Sequence, residues 1–164
     1  MKPIYLDYNS TTAISEAVIA KMNEVWQYPL NSSATHSLGR KANSIIDEAK
    51  NKINEFLNCK NYEIIFTSSA TESTNTIFFG SDFSRIIMSN IEHSSVYNCR
   101  PPHLKIDEIS CHENGVINID DLRKKIPQNK ENFLVSAMAC NNETGAIQPI
   151  EEIARIAHQN LGLF

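Results

Sequence analysis

Small hydroxylated residues between an apolar run and a polar helical segment mark the stretch of this chain best suited to chemistry. In Glu63-Ile64-Ile65-Phe66-Thr67-Ser68-Ser69-Ala70-Thr71-Glu72 the apolar residues predict a short buried strand, and a helix is expected to open at Ala70-Thr71. The start of a helix leaves backbone N–H groups unpaired and carries the positive end of the macrodipole, so it suits a phosphate. Ser and Thr hydroxyls beside it can donate further hydrogen bonds to phosphate oxygens. An ordinary structural N-cap, Ser or Thr followed by Glu, has the same appearance.

Two later segments favour the phosphate reading. His93, in Glu92-His93-Ser94-Ser95-Val96, comes just after the apolar run Arg85–Ser89, and Asn141-Asn142-Glu143-Thr144-Gly145 follows a second run, Phe133–Met138. Ligands of open α/β sheets bind beyond the carboxyl ends of parallel strands. An imidazole face can stack on a flat heteroaromatic ring, and an amide can hydrogen-bond a ring hydroxyl or a carboxylate. A phosphate cradle, an imidazole and an amide pair at three strand ends would suit a flat phosphorylated cofactor.

The elements that must position these groups follow from periodicity. Ser15–Gln27 predicts a helix with Val18, Met22 and Val25 on one face, Ser15 as cap and Pro29 as stop. A longer helix is expected from about Leu38 to Leu57. From Glu63 onward strand and helix alternate: strands at Glu63–Thr67, Arg85–Ser89, Lys105–Ile109 and Phe133–Met138, helices at Thr71–Phe79, Ser94–Cys99, Ile119–Ile126 and Pro149–Asn160. Glu113-Asn114-Gly115 reads as a turn and Gly162 as a helix C-cap. The alternation predicts an α/β fold, a mainly parallel sheet flanked by helices. Its strands are continuous apolar runs, as expected when both faces are covered.

The formal net charge of −4 gives no reason to expect nucleic acid or an anionic membrane surface as partner. No apolar stretch approaches the ~20 residues of a membrane span, and Met1–Asp7 has no signal-peptide apolar region. A cytoplasmic protein is expected. Cys59, Cys99, Cys111 and Cys140 show no C-x-x-C spacing and no ligand pattern with the five histidines, so free thiols and no metal site are expected. Cys140, beside the Asn pair, reads as a packing thiol rather than a nucleophile.

Five ordered blocks make the chain resemble the cysteine desulfurases, pyridoxal-phosphate enzymes of fold type I. Tyr5–Thr12 looks like the family's opening motif, and Asn31–Arg40 resembles its Asn-Pro-Ser-Ser-x-His-x-x-Gly loop. Phe66–Asn75, Glu92–Val96 and Asn141–Ile150 match three more. The chain departs from the pattern at Ser69, where the family usually has Gly, and at Ser32, where it has Pro. A longer helical connection of the family is shortened around Pro101-Pro102-His103.

The resemblance implies that Ala70 and Thr71 hold the phosphate of pyridoxal 5'-phosphate. It makes His93 the catalytic residue, stacking on the cofactor ring and relaying protons. Asn142 would contact the ring's hydroxyl side or the substrate carboxylate, and Asn31 and His36 would lie near the active-site entrance and dimer contact. The implied reaction takes sulfur from L-cysteine, giving L-alanine and an enzyme persulfide that feeds iron–sulfur cluster assembly. In the family, the strand that Leu163-Phe164 would begin leads to the Asp paired with the pyridinium nitrogen, then to the Schiff-base Lys and the nucleophilic Cys. Lys41, Lys50 and Lys52 lie on a helix without a motif and read as solvated.

The expectation is therefore an N-terminal half, a single partial domain, inactive by itself. Its helical segment covers about residues 1–60 and its α/β part, belonging to the family's cofactor-binding large domain, about 61–164. Its partners would be a complementary C-terminal half or a homodimer mate. The alternatives are a truncated product or a non-catalytic interaction module that associates with an intact desulfurase. A sheet ending at Phe164 is expected to leave an unpaired edge and marginal stability.

Overall fold

In the computed structural model, which describes residues 3–128 and 131–164, the chain divides into two units after Phe66. The first holds two helices, α1 (Glu16–Trp26) and α2 (Ser37–Phe56). Ser15 caps α1 by accepting the Val18 N–H, as its position predicts. His36 caps α2, its Nδ1 accepting the Gly39 N–H at 3.4 Å. A Cβ on Gly39 would lie 1.8 Å from the Ala34 carbonyl oxygen, so only glycine lets the Asn31–Ala34 turn press against α2. Among the described residues of this unit only Gly39 and Ala42 are buried.

The strand expected at Glu63–Thr67 does not form. The segment has no ladder partner among the described residues, and Ile65 and Phe66 are 73% and 54% exposed. Its apolar residues supply strand propensity, but a strand is stabilised only by a neighbour that takes its N–H and C=O groups.

The second unit contains α3 (Ala70–Gly80), β1 (Arg85–Ser89), α4 (Ser94–Tyr97), β2 (Lys105–Ile109), α5 (Ile119–Lys125), β3 (Phe133–Ser136) and α6 (Ile150–Gln159). The three strands are parallel in the order β2-β1-β3, with Arg85 opposite both Lys105 and Phe133. Successive strand residues alternate faces. Ile86 and Met88 pack with Phe78 of α3 and with Cys99 and Leu104, against which Val96 and Tyr97 of α4 lie. Ile87, Ile109, Phe133 and Val135 pack with Leu122 of α5 and with Ile153, Ile156 and Ala157 of α6. Both faces are thus covered, and the central strand β1 reads as a mostly apolar run, whereas the edge strand β2 carries Lys105, Asp107 and Glu108.

Two local expectations change. β3 stops at Ser136, before Met138, because the Met138 N–H leaves the ladder and donates to Glu92. Gly162 is not the residue that closes α6. Leu161 takes the left-handed conformation with φ +64°. The Leu161 N–H donates to His158 O and the Gly162 N–H to Ala157 O, a Schellman ending with leucine at the turn. Gly162 is needed for another reason: a Cβ there would sit 2.3 Å from the Phe133 ring. The turn at Glu113–Gly115 forms as expected, with Gly115 at φ +77°.

Candidate functional site

β1 and β3 are neighbours whose following helices lie on opposite faces of the sheet, α4 beside α3 and α6 beside α5. That divergence is a topological switch point. In such sheets ligands usually bind at that point, beyond the carboxyl ends of the strands. The loop after β1 carries His93 and the loop after β3 carries Asn142, so both residues follow the carboxyl ends of neighbouring strands.

His93 is exposed and is the N-cap of α4. Its Nδ1 accepts the Ser95 N–H at 3.2 Å and lies 2.8 Å from Ser95 Oγ. An accepting Nδ1 leaves the proton of the neutral ring on Nε2, where it can be donated or relayed. Asn142 is exposed, and its amide donates to the Glu143 carboxylate at 3.1 Å.

The residues just before these two fasten the loops together. Glu92 Oε1 accepts the Ser89 hydroxyl at 2.7 Å and the Met138 N–H at 2.8 Å. Asn141 is buried; its Nδ2 donates to Ile91 O at 3.0 Å, and its Oδ1 accepts from the N–H groups of Glu143 and Thr144 and from the Thr144 hydroxyl. Sequence reasoning did not assign these roles. The available signal was a carboxylate and an amide each placed one residue before a candidate site residue. Gln148, also buried, braces the second loop from behind, accepting the Ile117 N–H and donating to Gly115 O.

The helix expected to open at Ala70-Thr71 does so, but it follows no strand, since Glu63–Thr67 pairs with none of the described residues. Ser69 is the N-cap of α3, its Oγ accepting the Glu72 N–H at 3.3 Å. Its φ of −167° is ordinary extended backbone, so serine replaces glycine here without conformational strain. The N–H groups of Ala70 and Thr71 find no acceptor among the described residues, and both residues are exposed. The Glu72 carboxylate turns back and accepts the Ser68 N–H and hydroxyl at 2.7 and 2.6 Å. Because α3 joins β1 through the short link Ser81–Ser84 and packs on the sheet beside α4, it runs antiparallel to β1. Its amino end therefore points to the same end of the sheet as His93.

Asn31 and His36 belong to the first unit and have local roles. Asn31 Oδ1 accepts the Ser33 N–H at 2.9 Å and His36 caps α2. Cys140 is exposed, with its thiol 3.5 Å from Gly145 O. Among the described residues no group of three or more His, Cys, Asp or Glu could hold a metal ion. No described helix is long and apolar enough to cross a membrane.

The aminotransferase class-V family model matches residues 4–164. The mitochondrial cysteine desulfurase of Candida maltosa is 36% identical over 171 residues, covering 97% of this chain and 35% of that protein. Cysteine desulfurase IscS of Buchnera aphidicola subsp. Schizaphis graminum is 37% identical, covering 96% of this chain and 42% of that protein. Among solved structures, a NifS-like protein from Rickettsia africae superposes with a TM-score of 0.90 at 34% identity, over 97% of this chain and 46% of the other. SspA in complex with cysteine superposes with a TM-score of 0.82 at 29% identity, over 94% of this chain and 47% of the other. The chain thus spans less than half the length of each of these proteins. Its residues and its parallel sheet together place it in the aminotransferase class-V family, to which it belongs.

Proposed function

We propose that this chain supplies the phosphate seat and one wall of a pyridoxal-phosphate site in a cysteine desulfurase. That enzyme would take sulfur from L-cysteine, giving L-alanine and an enzyme persulfide for iron–sulfur cluster assembly. The observation that carries the reading is the switch point between β1 and β3, with His93 and Asn142 on the loops that follow these two strands and the start of α3 at the same end of the sheet.

The residues suit the cofactor. Two N–H groups without acceptors at the positive end of an eleven-residue helix match a phosphate, and an exposed imidazole matches a flat ring. When bound, pyridoxal 5'-phosphate supplies an electron sink for bonds at the substrate Cα. The chain's own residues do the rest of the work proposed here. Ala70 and Thr71 hold the phosphate, with the Thr71 hydroxyl as a third donor. His93 covers the ring and carries a movable proton on Nε2. Asn142 orients the ring hydroxyl or the substrate carboxylate. The four cysteines are free thiols, which supports a reducing compartment such as the cytoplasm.

The test compares binding of pyridoxal 5'-phosphate and of pyridoxal to the 164-residue chain. The phosphate form is expected to bind at least about tenfold more tightly, and Thr71→Val to remove most of that preference. Equal binding of the two forms, or an unchanged preference in the variant, would overturn the assignment of the phosphate seat.

A second reading is favoured by the apolar residues of the first unit, where Trp26 and Phe56 are 69% and 88% exposed. On that reading the chain is a non-catalytic module that associates with an intact desulfurase. Absence of binding when the chain is mixed with a purified desulfurase would remove it.

A further inference from the structure

The sheet ladder between β1 and β3 ends at Met88 and Ser136. Beyond that point nothing in the backbone pairing fixes how far apart the two site loops stand. Two side-chain ties replace the ladder. Glu92, on the His93 loop, reaches across to the Met138 N–H; Asn141, on the Asn142 loop, reaches back to Ile91 O. The ties run in opposite directions and span 46 and 50 residues of sequence. In each loop the clasp residue is followed at once by the site residue, so the chain alternates between a side chain that holds and one that is exposed.

We propose that Glu92 and Asn141 form a reciprocal clasp that sets the separation of His93 and Asn142, acting as positioning residues for the proposed cofactor site. The inference rests on the reading of that site given above. The clasp has a chemical asymmetry that makes it testable. Glu92 uses one carboxylate oxygen as acceptor for both Ser89 and Met138, so a glutamine can do the same without the charge. Asn141 uses its Oδ1 to fold its own loop and its Nδ2 to reach the other. Asn141→Asp therefore keeps the turn-forming acceptor and replaces only the cross-loop donor with a second oxygen facing Ile91 O. Ser89, fully buried, anchors the first tie to the end of β1.

The experiment uses the 164-residue chain and two readouts, NMR resonances of the His93 ring and Asn142 side-chain amide without ligand, and the dissociation constant for pyridoxal 5'-phosphate. Glu92→Ala is expected to shift the Asn142 amide resonances, on the loop it does not belong to, and Asn141→Asp to shift the His93 ring resonances. Each is expected to weaken cofactor binding about tenfold, the loss that follows removal of one part-buried hydrogen-bonded tie. Glu92→Gln is expected to restore both readouts, which loss of folding stability alone would not do. In the double variant the losses should fall short of additive, because both ties hold the same pair of loops.

Perturbation confined to the mutated loop, or failure of Glu92→Gln to restore the Asn142 resonances, would overturn the clasp. Should Glu92→Ala fail to fold, Asn141→Asp and Glu92→Gln still distinguish a clasp from two independent loops. Wild-type chain that binds no pyridoxal 5'-phosphate would sink the functional reading, while the ligand-free resonances would still decide the clasp.

Discussion

Glu72 stands in the first turn of α3, yet its carboxylate turns away from the free N–H groups of Ala70 and Thr71. The Ser68 hydroxyl and then the Ser68 N–H hold its carboxyl below the usual range, so it stays ionised next to the proposed phosphate seat. Glu72→Gln keeps an acceptor for Ser68 but removes the charge. It is expected to tighten binding of inorganic phosphate by about two- to fivefold, the size of one charge near a helix end. Unchanged affinity in a calorimetric titration would place the anion elsewhere. Ala70, Thr71, His93 and Asn142 were legible as candidates because each sits in a local pattern of residue types. Glu92 and Asn141 were not, since what they do depends on partners about fifty positions away, a distance that spacing rules do not bridge.

Asp121 in α5 ties that helix to the residue after β2. Its carboxyl is lowered from 3.8 to about 2, first by the hydrogen bond from Lys125 and then by the Ser110 N–H. A carboxyl with a lowered folded value stabilises above its unfolded value of 3.8 and loses that contribution as pH falls through about 2. The contribution is roughly 2 kcal/mol, with the side chain mostly buried. Asp121→Asn should therefore lose about that much at neutral pH, and its stability should flatten between about pH 4 and 2 in denaturant melts. An acid limb identical to wild type would assign the transition to other carboxylates. At the end of α6, two adjacent residues should respond with opposite sign. Gly162→Ala is expected to cost about 1–3 kcal/mol by forcing a methyl into the Phe133 ring. Leu161→Gly should be neutral or stabilising by up to about 1 kcal/mol, since it relieves a left-handed leucine that is 73% exposed. Melting temperatures of the two variants decide this. The limits of β1 and β2 coincide with those expected from the sequence, β1 as an apolar run that ends at the turn residue Asn90. Glu63–Thr67 has the same kind of run and forms no strand: composition reports the tendency to extend, and only a neighbour completes the ladder.

The two units differ in how they are held. The first buries only Gly39 and Ala42 among its described residues, whereas the second encloses its sheet between two apolar clusters. Local opening should therefore be easier in the first. Under limited proteolysis, early cuts are expected before Phe66, leaving a resistant product that begins near Thr67. Equal cutting rates on both sides of that boundary would mean the two are equally protected. Within the second unit, the ends of the sheet carry different polar ties. At the amino end Arg85 pairs with Asp107 and, at 3.1 Å, with Glu131. At the carboxyl end stands Glu92 on Met138. A slip of β3 against β1 by one residue would send Phe133 and Val135 to the opposite apolar cluster and bring Ser136 into theirs, but a slip by two would leave the apolar faces unchanged. That even slip is the error the hydrophobic pattern cannot detect, and it would break the Arg85–Glu131 pair and the Glu92–Met138 bond together. The apolar residues thus reject odd registers and the polar ties reject even ones, so strand alignment is checked for parity at both ends of a sheet only three strands wide.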